Sequence, residues 1–343
     1  MTVDAMRSRG EAHRFPAMRA LQITELSGPD SALKLVDIDE PVSHPMAPDA
    51  SVIIDVHAAG VSFPEVLQTR GEYQFKPELP FVPGSEVGGV VRTAPESSGL
   101  QPGDRVAAFC MLGAFAEVTA APAHTTFKLA DDLDFAQGAS LVLNYHTAYF
   151  SLVTRGRLQA GETVLVHGAA GGVGTATLQV AKGLGARTIA VVSSDEKEHV
   201  ARDAGADEVL RSDGPWRDQA KELGGANVIV DPVGGDRFTD SLRSLAEGGR
   251  LVVVGFTGGA IPEVKVNRLL LNNVEVIGAG WGAYVLPKPQ MFTQIGAALD
   301  ELIASGHVRP IVGAHFAFED AAQALNLIDG RGALGKVVLD VRN

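Results

Sequence analysis

The chain has 343 residues, 45% hydrophobic and 20% charged, a balance that fits about two folded domains and leaves little room for extensive disorder. Its 29 Lys and Arg against 41 Asp and Glu give a net charge of −12, which argues against nucleic acid and anionic membrane surfaces as partners. The single cysteine, Cys110, excludes an internal disulfide and any multi-Cys zinc module, and no apolar run approaches the roughly 18 residues of a membrane-spanning helix. Residues 1–17 carry Arg, Glu and Asp without an apolar stretch, so they read as a flexible polar extension rather than a signal peptide, and a cytoplasmic protein is expected.

From Met18 onward, short apolar runs alternate with turn residues. Strands are predicted at Arg19–Leu26, Leu33–Ile38, Ser51–Ala59, Glu86–Thr93, Arg105–Phe109 and Phe115–Thr119, punctuated by Pro48-Asp49, Pro83-Gly84 and Pro102-Gly103-Asp104. This texture predicts a mostly antiparallel β unit. From about Ala139 it changes to strand–helix alternation. Strands are predicted at Thr163–His167, Arg187–Val192, Glu208–Leu210, Val228–Asp231, Arg250–Val254 and Val274–Gly278, with helices at Thr175–Leu184, Asp195–Ala204 and Asp236–Leu245. Such alternation predicts a parallel sheet covered on both faces. The chain closes with a helix over Phe318–Ile328, capped by Gly330, and a strand at Lys336–Val341. The fold expected is α/β, a doubly wound unit inserted into a β-rich one.

The run Gly168-Ala-Ala-Gly171-Gly172-Val173-Gly174 stands where a strand turns into a helix. A dinucleotide needs a tight turn there, backbone close to its pyrophosphate, and close helix–strand packing, and the helix start offers free amides to phosphate. Ala170, Gly171, Gly172 and Val173 are therefore the expected pyrophosphate cradle. An NAD site would place a carboxylate at the end of the following strand. Here Ser193 and Ser194 follow Val192, with Lys197 one turn on. Two hydroxyls and a cation suit the 2′-phosphate of NADPH. Two other readings stay open: Ser193 and Glu196 fit a helix capping box, and Asp195 could reach a ribose and favour NAD.

At this point the residues carry a resemblance. The segments Gly60–Tyr73, Pro80–Glu86, Gly103–Val106, Thr147–Tyr149, the glycine turn, Asp231–Gly235, Val254–Phe256 and Gly335-Lys336 occur in the order found in the medium-chain dehydrogenase/reductase superfamily. The chain most resembles its zinc-free quinone oxidoreductase (zeta-crystallin-like) branch. The resemblance implies a GroES-like catalytic domain, residues 18–139 and 287–343, enclosing a Rossmann domain, residues 140–286, with the active site in the cleft between them. Where zinc members carry Cys, His and Cys, this sequence has Ser62, Ser85 and Leu143.

The resemblance also implies site residues. Thr147 matches a position that bonds the nicotinamide ribose, and Arg331 an arginine near the cofactor; Gly255 and Phe256 follow a strand end, where backbone N–H and C=O groups can grip the carboxamide. Arg211, after the third strand of the alternating region, is placed near the adenine or 2′-phosphate. Tyr73 stands where enoyl-thioester reductases carry a tyrosine proton donor, and Ser62 where many quinone reductases have an Asn. Trp281 is a candidate wall for a flat acceptor, with packing at a subunit contact as the alternative. His146 is expected to be a hydrogen-bonded structural histidine and Cys110 a small buried side chain.

Together these imply an NADPH-dependent, zinc-independent enzyme that transfers hydride to a small-molecule quinone or enone, working as a homodimer. Without a metal, hydride acceptors whose charge delocalises are favoured over simple ketones. A 2-enoyl-thioester or alkenal/one reductase and a non-catalytic NADPH-binding protein remain as alternatives.

Overall fold

Residues 16–342 are described by the structure, a computed structural model; residues 1–15 of the expected extension lie outside the described residues. Ala17 already belongs to the first strand, Ala17–Ile23, which pairs antiparallel with Leu33–Asp39. A larger sheet of seven strands follows. Its order is Val312–Ala317, Lys336–Asp340, Ser51–Val61, Glu86–Thr93, Arg105–Phe109 and Thr126–Lys128, with Val118–Pro122 also paired to Ser51–Val61. Only the pairing of Val312–Ala317 with Lys336–Asp340 is parallel. Glu86–Thr93 and Arg105–Phe109 fall where their apolar runs predict. The strand expected at Phe115–Thr119 instead spans Val118–Pro122. Ala114 and Phe115 are engaged otherwise, their amides donating to Gly84 and Pro83.

The second sheet has six parallel strands in the order Glu208–Arg211, Arg187–Val192, Thr163–His167, Ala226–Asp231, Leu245–Val253 and Glu275–Gly278. Val164, Leu165 and Val166 are fully buried, as a strand with both faces covered requires. Successive strands leave Thr163–His167 in opposite directions on its two sides. The crevice beyond the strand ends at that reversal is the usual ligand position of a doubly wound sheet. The helix after the glycine turn begins at Gly172, three residues before the predicted start, and runs to Gly183. The helix expected from Asp236 shortens to Phe238–Ser244 because Gly235–Arg237 form a tighter turn first.

Helices Phe63–Thr69, Val142–Tyr149 and Pro289–Ala304 lie in segments for which no element is predicted. Tyr145 on the second of these donates through its hydroxyl to Gln179 Oε1 at 2.8 Å, fixing that helix against Gly172–Gly183. The two sheets are also joined by backbone. The Gly335 amide donates to the Ala170 carbonyl at 2.6 Å, and Gly335 forms a bridge with Gly171. The strand Lys336–Asp340 is thereby carried to the glycine turn.

Candidate active site

The glycine turn is open to a ligand. Gly171 caps the helix without any side-chain hydrogen bond, and the first intrahelical bond runs from the Thr175 amide to the Gly171 carbonyl at 2.8 Å. The amides at the helix start are left without intrahelical acceptors, a ready place for phosphate oxygens. Gly172 faces Asn144 so closely that a methyl built on it would overlap the Asn144 Nδ2. Glycine lets the helix start approach that neighbour without moving the Asn144 amide. Thr147 lies one turn further along the Asn144 helix and is buried.

At the end of Arg187–Val192 the predicted cofactor residues converge. Lys197 Nζ donates to Ser193 Oγ at 3.3 Å and to the Arg331 carbonyl at 2.9 Å. Arg211 Nη2 donates to the Ser193 carbonyl at 3.1 Å, and its other nitrogen pairs with Asp195. Arg331, held at a φ of 58°, donates through Nη2 to the Gly258 carbonyl at 3.2 Å. Lys197, Arg211, an exposed Ser193 and the backbone carbonyl of Arg331 therefore share one corner, and Arg211 is paired with the carboxylates of both Asp195 and Asp213. The helix cap is Ser194 rather than Ser193: its hydroxyl accepts from the Lys197 amide at 3.2 Å. That correction leaves the Ser193 side chain free of the capping role. Sequence reasoning missed Arg237, which is half-buried; burial lowers its basicity, the charge of Asp231 raises it, and that of Arg331 lowers it.

Gly255 and Phe256 follow the strand end, with Phe256 exposed over Gly234. Trp281 is not on an open wall. It is 5% exposed and packs edge-on against Phe109, Phe292 and His146, with centroids 5.2, 5.5 and 6.0 Å away. His146 is buried in the same cluster, and burial pushes its imidazole down to about 3. Its Nδ1 has no partner among the described residues, so it is a neutral packed ring rather than the hydrogen-bonded one expected. Cys110 is fully buried, and burial pushes its thiol up to about 12.

On the β-rich side, Tyr73 is half-buried, and burial, then the nearby Glu65 charge, raise its phenol above the ordinary value. Ser62 caps the helix Phe63–Thr69 and accepts from Lys336 Nζ at 2.7 Å. Lys336 also pairs with Glu86, whose other oxygen accepts from the Leu143 amide at 2.8 Å. Glu65 accepts from the Ser85 hydroxyl at 2.8 Å and from the Ser62 amide at 2.9 Å. Burial pushes Glu65 up to about 7, against the opposing charge of Lys336. Ser62, Ser85 and Leu143, which stand at the zinc-ligand places of related enzymes, are thus all bonded into one buried acid–base network. Glu65, Glu86 and Lys336 lie within segments that carry the family resemblance, but nothing in the sequence singled them out as site residues. Among the described residues no group of three or more His, Cys, Asp or Glu is arranged to hold a metal ion.

Comparison with known proteins agrees with this architecture. Residues 48–131 match the alcohol dehydrogenase GroES-like domain, and residues 172–301 match the family described as zinc-binding dehydrogenase. A mouse protein named quinone oxidoreductase-like protein 2 is 39% identical over 330 residues, covering 94% of this chain and 92% of its own. A probable oxidoreductase from Mycobacterium abscessus superposes with a TM-score of 0.85 at 43% identity, covering 95% of this chain and 99% of that one. The quinone oxidoreductase of Thermus thermophilus, solved also in complex with NADPH, superposes with a TM-score of 0.80 at 33% identity, covering 94% and 100%. With its GroES-like and Rossmann parts both matched, the chain belongs to the quinone oxidoreductase branch of the medium-chain dehydrogenase/reductase superfamily.

Proposed function

We propose that the protein is an NADPH-dependent reductase of quinones or similar conjugated carbonyl compounds, working without zinc, with residues 18–139 and 287–343 as its catalytic unit and 140–286 as its dinucleotide unit. The observation that carries this reading is the corner where Ser193, Lys197, Arg211 and Arg331 meet. Its lysine and arginine suit a phosphate, and the carboxylates of Asp195 and Asp213, which could serve a ribose, are both engaged by Arg211. Ala170, Gly171, Gly172 and Val173 hold the pyrophosphate, and Ser193, Ser194, Lys197, Arg211 and Arg331 surround the 2′-phosphate and adenine. Thr147 bonds the nicotinamide ribose, and Gly255 and Phe256 grip the carboxamide. NADPH bound there supplies a hydride, two electrons with one hydrogen nucleus. With one proton from water the acceptor becomes a hydroquinone and NADP+ is left.

Serine hydroxyls and a leucine side chain, at the places where zinc enzymes use thiolate and imidazole, are poor zinc donors. A quinone or enone needs no metal, because the charge it gains is delocalised. Following NADPH consumption with a simple naphthoquinone, before and after chelator treatment, tests the reading. Turnover that survives chelation is expected. Absence of NADPH oxidation with a panel of quinones and enones, or loss on chelation with recovery on added zinc, would overturn it.

Tyr73 favours a second reading. A phenol that keeps its proton beside Glu65 suits protonation of a reduced alkene, as in an enoyl-thioester reductase. Crotonyl-thioester turnover that exceeds quinone turnover and is abolished in Tyr73→Phe would establish that reading instead.

We also infer that two copies pair through the strand Glu275–Gly278. Among the described residues that strand has a neighbour on one side only, and Ile261, Val266, Leu270 and Leu271 lie exposed on the adjoining segment. An unpaired edge beside exposed apolar side chains favours association.

A further inference from the structure

The buried network under Ser62 has more charge than packing requires. Glu65 and Glu86 are fully buried and Lys336 is 3% exposed. An ion pair in such a place is a poor route to stability compared with apolar side chains of similar size. The arrangement has one outlet. Lys336 Nζ donates to Ser62 Oγ at 2.7 Å, and Ser62 also forms a capping box with Glu65. The oxygen of Ser62 is therefore turned toward protein donors, and its own hydrogen has no protein acceptor among the described residues. Ser62 is the partly exposed member of the network, and it lies at the seam of the two sheets. Lys336 follows Gly335, which bonds Ala170 of the glycine turn, and Glu86 is held by the Leu143 amide.

We propose that Lys336 is a positioning residue: anchored by Glu86, it fixes the Ser62 hydroxyl so that its hydrogen points into the cleft and donates to the acceptor oxygen that gains negative charge. The inference rests on the reductase reading above and deepens it. Two-electron reduction of a conjugated carbonyl places charge on that oxygen, and a preoriented donor is most effective there in a dry site. The Lys336 cation lies one hydrogen bond behind the hydroxyl and strengthens it as a donor, and the proton that completes the product comes from water. The charged and titratable groups facing this position are Lys336, Glu86 and Glu65, with Tyr73 and Cys110 under the influence of Glu65.

The test compares wild type, Ser62→Ala, Ser62→Thr and Lys336→Met on a series of substituted benzoquinones, with NADPH affinity from fluorescence titration and melting temperature as independent readouts. Ser62→Ala is expected to lower kcat roughly 100-fold with NADPH affinity unchanged. The ratio of wild-type to variant kcat should widen as the hydroquinone oxygen becomes more basic, and Ser62→Thr should recover most of the loss. Lys336→Met should follow the same trend if it folds; if it does not, the Ala/Thr contrast decides alone. An unchanged kcat in Ser62→Ala, or a loss that is uniform across the series and tracks weakened NADPH binding, would overturn the assignment while leaving the reductase reading intact. A wild-type protein inactive toward every quinone and enone would instead remove that reading, and this inference with it.

Discussion

The ammonium of Lys197 lies 2.9 Å from the carbonyl oxygen of Arg331, a residue 134 positions further along the chain. The contact gathers two parts of the proposed cofactor corner that no local pattern connects. The left-handed backbone of Arg331 turns its carbonyl toward Lys197, while its guanidinium reaches Gly258. The corner is thus held by the backbone carbonyls of Arg331, Ser193 and Gly258 together with the Ser193 hydroxyl and the carboxylates of Asp195 and Asp213.

Lys197→Ala should weaken NADPH binding and spare NADH. A lost charge-assisted bond is worth about 1.5–3 kcal/mol, or roughly a tenfold to hundredfold change in Kd. Titrating both nucleotides checks this, and equal weakening of the two would remove the 2′-phosphate from the Lys197 corner.

Two glycines of the turn should separate stability from binding. A methyl on Gly174 would overlap backbone atoms of Gly168 and Ala169, which cannot move aside singly. Gly174→Ala is expected to cost roughly 1–3 kcal/mol in denaturant unfolding. At Gly172 the obstacle is the end of the Asn144 side chain, which can rotate. Gly172→Ala should unfold near the wild-type midpoint but bind NADPH about tenfold more weakly, a change of 1.4 kcal/mol.

Acid sensitivity should come partly from His146. Its folded value, about 3, lies below the ordinary 6.5, so the unfolded chain takes up a proton first as pH falls. The contribution of this ring to stability is complete above 6.5 and is lost progressively toward 3. His167, also buried and lowered, acts in the same direction. Melting temperatures measured down to pH 4 should fall less steeply in His146→Leu than in wild type. Parallel slopes would assign the acid loss to other groups.

The exposed leucines of the segment Asn267–Asn272 should decide assembly. The paired substitution Leu270→Asp and Leu271→Asp replaces two side chains that are each about three-quarters exposed. It is expected to convert a dimer to a folded monomer in sedimentation velocity, with NADPH binding kept. A wild-type protein that already sediments as a monomer would dismiss the edge-strand pairing.

Much of the architecture is local and could be read directly. Glu86–Thr93, Arg105–Phe109, Thr163–His167 and Arg187–Val192 coincide with their apolar runs, because a buried strand needs an unbroken series of such residues. The place of the glycine turn between a strand and a helix was legible as well, because glycines after an apolar run mark a tight change of direction. The helices Val142–Tyr149 and Pro289–Ala304 were not legible, although both carry buried apolar residues. Nor could the pattern show that Trp281 is enclosed, since an aromatic side chain reads alike in a core and on a wall.

By itself, the sequence determined the two kinds of sheet, the glycine turn between a strand and a helix, and the serines and lysine that follow the second strand of the parallel sheet. These depend on residues close together in the chain, and periodicity and backbone sterics act at that range. Only the tertiary structure decided that Lys336 meets Ser62 across 274 positions and Glu86 across 250, because sheet pairing brings the last strand beside Ser51–Val61. A buried charge has no local signature: its energy depends on which partners long-range folding places around it.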